Sequence, residues 1–128
     1  MWILGRNGRV KRNLIQEKSY AFALQAISEY RNLLLTKEFV LSKQMLRAAT
    51  SIGANVEEGL GGQSRADFIS KMSIAHKEAR ETNYWLRLLR DSDLMDKRRA
   101  DVLLKESVEI MSILASIVKT TRASSVKN

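Results

Sequence analysis

No proline interrupts the 128 residues of this chain. Proline removes a backbone donor and clashes inside a helix, so its absence favours long, uninterrupted helices. The length is that of one compact domain, and a composition of 45% hydrophobic and 28% charged residues is typical of globular proteins. Cysteine is also absent, which excludes disulfides, thiolate zinc sites and a cysteine nucleophile.

Apolar residues recur in four segments at alternating intervals of four and three, which places them on one stripe of a helix. The clearest stripe, in the third segment, consists of Phe68, Met72, Ala75, Ala79, Thr82, Leu86 and Leu89. The other stripes are Ile15, Phe22, Ala26, Tyr30 and Leu33 in the first segment; Leu46, Ala49, Gly53, Val56 and Leu60, beside Leu41, Met45, Ala48 and Ile52, in the second; and Leu103, Ile110, Leu114 and Ile117, beside Leu104, Val108, Met111 and Val118, in the fourth. Four amphipathic helices joined by short turns predict an all-α, antiparallel up-down-up-down four-helix bundle.

The boundaries of the first two helices follow from a short connection and a glycine cluster. The first helix is predicted over residues 13–35 and the second over 37–58, with Thr36 capping the second. The sequence Gly-Leu-Gly-Gly at residues 59–62 suits a helix C-cap followed by a tight turn.

Acidic and hydroxyl residues mark the last two helix starts. Ser64 is the predicted N-cap of the third helix, with Asp67 three residues later at the acid position of a capping box. The fourth helix is predicted to open near residues 91–93, with Asp96 in its first turn.

Basic residues concentrate at the two ends of the chain. The formal net charge is +8, from 22 Lys and Arg against 14 Asp and Glu. Residues 1–12 carry +4 and residues 110–128 carry +3, both without an acid, which leaves +1 for residues 13–109. The cations of the first segment are Arg6, Arg9, Lys11 and Arg12. Such ends bind RNA in some proteins and only aid solubility in others, and both readings stay open.

We therefore expect three parts: a basic N-terminal arm at 1–12, the bundle at 13–122 and a mobile tail at 123–128. The longest uncharged stretch, residues 19–28, is too short to cross a bilayer. The apolar start is followed at once by glycine and arginine, unlike a secretory leader. A soluble, cytoplasmic protein without membrane contact is expected.

The residues offer little chemistry for catalysis. A di-iron site in a bundle needs paired Glu-x-x-His units, but the single histidine, His76, follows Ser73 at that spacing. Glu78 and Glu81 lie three apart on a helix, where salt bridges are their usual fate. The glycine cluster lacks the Gly-Lys-Ser/Thr of a phosphate-binding loop. We expect no enzyme, no cofactor and no metal.

A second row of residues follows the third helix on the side away from the core. It consists of Ser73, Lys77, Arg80, Tyr84, Arg87 and Asp91. The three cations could meet a phosphate backbone while Tyr84 stacks on a base. The alternative is a solvated face in which Glu78, Glu81 and Asp91 pair with those cations. At the edge of the core stripe, Trp85 is either intramolecular core or an anchor for a subunit contact.

A polar row on the second helix lies beside a groove of small residues. It consists of Arg47, Ser51, Asn55 and Glu58. It forms either an interfacial hydrogen-bond network that fixes helix register or an ordinary exposed row. Gly53 costs about 1 kcal/mol inside a helix, which close approach of another helix would offset.

Several stretches resemble the four-helix-bundle proteins encoded in intervening sequences of bacterial 23S ribosomal RNA genes. The resemblance spans roughly residues 15–120 and is specific through 39–90. It is carried by LRAATSIGANVEEG at 46–59, SRADFI at 64–69, KMSIA at 71–75, KEARET at 77–82 and YWLRLL at 84–89.

This resemblance implies a bundle that assembles into a ring, typically a homopentamer with a central channel. It also implies kinship with the accessory variability protein of diversity-generating retroelements, which binds a reverse transcriptase and nucleic acid. It supports a structural role for Arg47, Ser51 and Asn55 and assigns no catalytic residue. The nearly neutral body of this chain departs from the strongly basic surface of the retroelement relatives.

The leading hypothesis is a non-enzymatic, homo-oligomeric accessory factor for RNA or ribonucleoprotein, with DNA as a further ligand class. Its nucleic-acid contacts would be Lys77, Arg80, Tyr84 and Arg87 of the third helix and the four cations of the N-terminal arm. The structural or interface residues would be Arg47, Ser51, Gly53, Asn55 and Trp85. The alternative is a protein-interaction scaffold that recruits a partner such as a reverse transcriptase without touching nucleic acid.

Overall fold

The structure, a computed structural model, describes residues 2–4 and 10–127, with side chains over residues 13–124. Two short strands precede four helices. Their bounds are β1 Trp2–Leu4, β2 Val10–Arg12, α1 Leu14–Leu35, α2 Leu41–Leu60, α3 Arg65–Asp91 and α4 Lys97–Lys127. None of the described helices is long and apolar enough to cross a membrane.

The four helices pack as an antiparallel bundle in which each contacts the next and α4 returns to α1. Side chains near the helix ends join α1 to α2 and α3 to α4, and Lys18 near the start of α1 reaches the middle of α4. These contacts are Gln16 to Glu57 at 2.9 Å between α1 and α2, Arg90 to Asp101 at 2.9 Å between α3 and α4, and Lys18 to Glu109 at 3.2 Å between α1 and α4. The predicted four-helix, all-α fold is confirmed.

The core consists of the predicted stripes. In α3, every stripe residue from Met72 to Leu89 is buried, and Phe68 is half-buried against the same cluster. Leu46 is half-buried outside the core cluster, and Val108 is 54% exposed. It lies about 200° around α4 from the buried Ile110, so it faces outward. Placing Val108 in the core was wrong.

The connection between α1 and α2 differs from the prediction. Thr36 is the C-cap of α1, and its hydroxyl donates to the Leu33 carbonyl at 3.0 Å. Instead, the Glu38 carboxylate accepts from the backbone N–H of Leu41 at 2.9 Å and of Ser42 at 2.7 Å. Burial raises the pKa of Glu38, but these hydrogen bonds outweigh it and hold the pKa below its usual value. The ionised Glu38 carboxylate therefore stabilises the fold at pH values above its pKa in the unfolded chain. This stabilisation is lost as the pH falls through the lower pKa of Glu38 in the folded protein.

A left-handed residue explains why α2 begins later than predicted. Lys37 has φ 63°, which ends the helical path. Its N–H donates to the Leu34 carbonyl at 3.0 Å, and the Glu38 N–H donates to the Leu33 carbonyl at 2.9 Å. These two bonds form a Schellman motif, whose left-handed position usually holds glycine.

Lys37→Gly is expected to raise the free energy of unfolding by about 0.5–1 kcal/mol, because glycine adopts positive φ without a Cβ penalty. Urea denaturation measures this. The control is Lys105→Gly, which replaces an exposed lysine inside α4 and is expected to cost about 1 kcal/mol. Equal destabilisation by both substitutions would contradict the prediction.

The remaining helix boundaries are partly as predicted. Ser64 is the N-cap of α3, and its Oγ accepts from the Asp67 N–H at 3.0 Å, as predicted. The predicted start of α4 was wrong, because α3 continues to Asp91 and Asp93 then adopts φ 62°. Asp96 precedes α4 instead of lying in its first turn, and its carboxylate accepts from the Arg99 N–H at 3.1 Å.

The two ends of the chain also carry regular structure. In the segment assigned to the arm, Trp2–Leu4 pairs antiparallel with Val10–Arg12. The sequence does not predict this pairing, since strands of three residues are too short to show alternation. At the other end, α4 continues through Lys127, so residues 123–127 of the predicted tail are helical. Residues 1, 5–9 and 128 lie outside the described part.

Candidate nucleic-acid interface

The polar row of α3 lies on the surface of the bundle. Lys77, Arg80 and Arg87 are exposed, and Tyr84 is 47% exposed. The Arg87 guanidinium lies 5.7 Å from the centre of the Tyr84 ring, and its Nε donates to Asn83 Oδ1 at 2.9 Å. We call Lys77, Arg80, Tyr84 and Arg87 the basic face.

The acids near the basic face are engaged elsewhere. Glu78 and Glu81 both accept from the Arg47 guanidinium of α2, the first at 3.4 Å. Within residues 13–124, none of the three cations of the basic face forms an ion pair. Glu78 and Glu81 therefore do not pair with these cations as the alternative expected, whereas Asp91 lies close enough to Arg87 for the two charges to interact.

Asp91, at the end of α3, belongs to a different cluster. Its carboxylate accepts from Arg90 Nε at 2.8 Å, and Arg90 also donates to Asp101 of α4 at 2.9 Å. The hydrogen bond from Arg90 lowers the pKa of Asp91, and the same contacts raise the pKa of Arg90. This cluster joins α3 to α4, and the charge of Arg87 on the basic face contributes further to the lowered pKa of Asp91.

The polar residues of α2 make two kinds of contact. The Arg47 side chain forms ion pairs with Glu78 and Glu81 of α3. Ser51 Oγ and Asn55 Nδ2 instead donate to carbonyls of their own helix, at 2.7 Å to Arg47 and 2.9 Å to Ser51. Glu58 is exposed. Of these four residues, Arg47 is the one with a described hydrogen bond or ion pair to another helix.

Gly53 faces α1. A Cβ atom there would lie 3.5 Å from both the carbonyl oxygen and the Oγ of Ser19. Ser19 is buried, and its hydroxyl donates to the Gln16 carbonyl at 3.2 Å. The close helix approach expected at Gly53 is therefore the packing of α1 on α2.

Trp85 connects the Arg47 contact to the basic face. It is half-buried against the core, and its Nε1 donates to Glu81 Oε2 at 3.1 Å. Its ring meets Tyr84 edge to face, with centroids 5.2 Å apart. The indole thus packs on the core of its own chain while its neighbour Tyr84 stays open to solvent, and contacts run from Arg47 through Glu81 and Trp85 to the basic face.

His76 lies at the border between the core and the surface of α3. Burial lowers the pKa of His76, and the positive charge of Arg80 lowers it further. Over the described residues, no three His, Cys, Asp or Glu side chains cluster as metal ligands. The arrangement around His76 is cationic, and that disfavours a metal ion.

The arm residues are only partly described. Arg6 and Arg9 lie outside the described residues, and Lys11 and Arg12 belong to β2 without described side chains. Their assignment to RNA contact stays a prediction.

A further apolar surface escaped sequence reasoning. Tyr20, Leu24, Ile27 and Leu35 are exposed on the side of α1 opposite the buried Phe22. We call these four residues the outer face of α1. The sequence does contain a signal for this surface. Tyr20, Leu24 and Ile27 repeat the four-three spacing of apolar residues on the face of α1 opposite its core stripe.

Fold and surface together define a helical-bundle protein that presents a basic face on one helix and an apolar face on another. The family profile of the 23S rRNA-intervening sequence protein matches residues 11–116, and this chain belongs to that family. The chain is similar to a protein of unknown function from the S23 ribosomal protein family of Bacteroides thetaiotaomicron, whose crystal structure is known. The two are 46% identical, the match covers 83% of this chain and 99% of that one, and the TM-score is 0.81. No curated protein matches.

Proposed function

We propose that this protein is a non-enzymatic accessory factor that binds RNA through the basic face of α3 and assembles with copies of itself. The observation that carries the proposal is a row of three cations without ion pairs around an exposed tyrosine. Cations supply contacts to phosphate, and an exposed aromatic ring supplies a stacking surface for an unpaired base. The family description, which names 23S rRNA, supports RNA as the ligand.

Preorganisation strengthens this assignment. The Arg87 guanidinium is held by Asn83 and the Tyr84 ring, and Asn83 Nδ2 donates to Ser107 Oγ of α4 at 3.0 Å. Trp85 supports Tyr84 from the core side. Because these side chains are held before a ligand arrives, less conformational entropy is lost on binding.

Self-association is supported by the outer face of α1. Tyr20 is 59% and Leu24 is 53% exposed, and Ile27 lies one turn further along the same side. Apolar surface of this kind on a helix whose other side fills the core is typical of a contact between subunits. The ring of five copies that the family resemblance implies is the assembly we propose, with the arm of residues 1–12 as an additional RNA contact.

The outer face of α1 also favours the second candidate, a scaffold that recruits a partner protein such as a reverse transcriptase. The two candidates differ in what survives nuclease. A protein partner retained after nuclease treatment supports the scaffold, whereas binding of purified RNA to the purified protein supports the accessory factor.

Charge reversal of the basic face tests the proposal. Lys77→Glu/Arg80→Glu/Arg87→Glu is expected to weaken single-stranded RNA binding at least 10-fold at low salt and to reduce the slope of log affinity against log salt by about 2, since each phosphate contact contributes about 0.7. Fluorescence anisotropy over a salt series measures both quantities.

The matched control is Lys43→Glu/Arg98→Glu/Lys105→Glu, which reverses three exposed cations on α2 and α4. Both triple variants change the net charge from +8 to +2, so only the position of the charges differs. The control is expected to keep most of the affinity and most of the salt slope. Equal losses in the two variants, or no RNA binding by the unaltered protein at low salt, would refute the proposal.

A further inference from the structure

A pocket opens between α3 and the C-terminal half of α4. Its volume is about 420 Å³, and it is lined by Ser73, His76, Ala115, Val118, Lys119 and Arg122. This volume falls in the range of small-ligand sites, roughly 300–1,000 Å³. The pocket is thus large enough to hold one nucleotide unit.

The lining suits an anion with a flat, apolar body. Lys119 and Arg122 are exposed, and neither forms an ion pair in residues 13–124. Ser73 and His76 add further donors, and no carboxylate lines the pocket. Ala115 and Val118 add apolar surface on the same face of α4, so cationic and apolar groups lie next to one another in the pocket.

The pocket is continuous with the basic face of α3. His76 precedes Arg80 by one helical turn, and the two are close enough for the charge of Arg80 to lower the pKa of His76. Lys77 follows His76 directly in the chain. A strand lying along the basic face from Arg87 to Lys77 therefore comes to the edge of the pocket at His76.

We propose that this pocket binds one nucleotide of the RNA strand, with Lys119 and Arg122 holding its phosphate and Ala115 and Val118 contacting its base or sugar. The inference rests on the proposed function, because it assigns α4 a part in the same RNA site. It also assigns a role to two C-terminal cations that the basic face alone leaves unused.

His76 reports directly on this pocket. It is the single histidine of the chain, so its imidazole signals in an NMR spectrum are assigned without ambiguity. The charged groups placed against it are Arg80 on α3 and Lys119 and Arg122 on α4, all positive. An anion bound among them opposes their field, so the pKa of His76 is expected to rise when the pocket is filled.

The experiment measures the pKa of His76 in the full chain by NMR, alone and with a nucleoside 5′-monophosphate, inorganic phosphate or a short single-stranded RNA. We expect the nucleotide and the RNA to raise the pKa. Inorganic phosphate should require at least a 10-fold higher concentration, because it lacks the apolar contact. Lys119→Ala/Arg122→Ala should weaken the nucleotide at least 10-fold, whereas Arg98→Ala/Lys105→Ala, also exposed on α4, should not.

The outcomes distinguish failure of the nucleotide pocket from failure of the proposed RNA-binding function. RNA that binds through the basic face without changing the pKa of His76 overturns the pocket and leaves the proposed function standing. A nucleotide that raises the pKa while RNA fails to bind supports the pocket and overturns the proposed function. An equal response to inorganic phosphate, or no response to any of the three probes, overturns the assignment of a nucleotide.

Discussion

Phe22→Ala is expected to lower the free energy of unfolding by about 3–5 kcal/mol, the usual cost of truncating a large aromatic residue in a packed core. The Phe22 side chain is 1% exposed and is among the largest fully buried side chains. Tyr20 lies two residues away on the outer face of the same helix and is 59% exposed. Tyr20→Ala is therefore expected to change the stability of the single subunit by no more than about 0.5 kcal/mol.

Urea denaturation at several protein concentrations makes this comparison. Stability that depends on self-association varies with concentration, whereas the core contribution of Phe22 does not. The Tyr20→Ala variant should approach the unaltered protein as the concentration is lowered, and Phe22→Ala should stay destabilised throughout. If Tyr20→Ala lowers the free energy of unfolding as much as Phe22→Ala at the lowest concentration, Tyr20 belongs to the core. That result would contradict the assignment of a buried face and an outer face to α1.

The helices were predictable because their signal is periodic. The stripe from Met72 to Leu89 repeats over several turns, so an error at one position does not shift the face that it defines. The cap at Ser64 was predictable for a related reason, since the hydroxyl and its target N–H lie three residues apart in the chain. Information of this kind is local, and a single sequence contains it.

The turns were not predictable to the same degree. The chain reverses at Lys37 and Asp93, which both adopt positive φ. Aspartate has a modest preference for this conformation, and lysine has none. A glycine at either position would have marked the helix end. Because Lys37 gives no such signal, the sequence predicts that α2 begins four residues before its actual start at Leu41.

The site shows where local reasoning ends. Glu78 and Glu81 lie beside the cations of α3 in the chain, so pairing within the helix is the natural expectation. The structure pairs them with Arg47, 31 and 34 residues earlier, because the register between α2 and α3 brings that guanidinium across. Helix register depends on the packing of the whole interface, and here it pairs Glu78 and Glu81 with Arg47 and not with the cations of α3.

The outer face of α1 leads to the other large effect. Leu24→Glu is expected to weaken self-association by roughly 100-fold or more, because a buried, unpaired carboxylate at the centre of an apolar contact is strongly unfavourable. Sedimentation over a concentration series measures the change in the dissociation constant.

The matched control is Val108→Glu on α4. The replaced side chain is 54% exposed, against 53% for Leu24, so both substitutions add one carboxylate at an equally open apolar position. The control should keep the assembly. Retention of the assembly by Leu24→Glu, equal dissociation of both variants, or a 14.6 kDa monomer for the unaltered protein at micromolar concentration would show that α1 is not the contact.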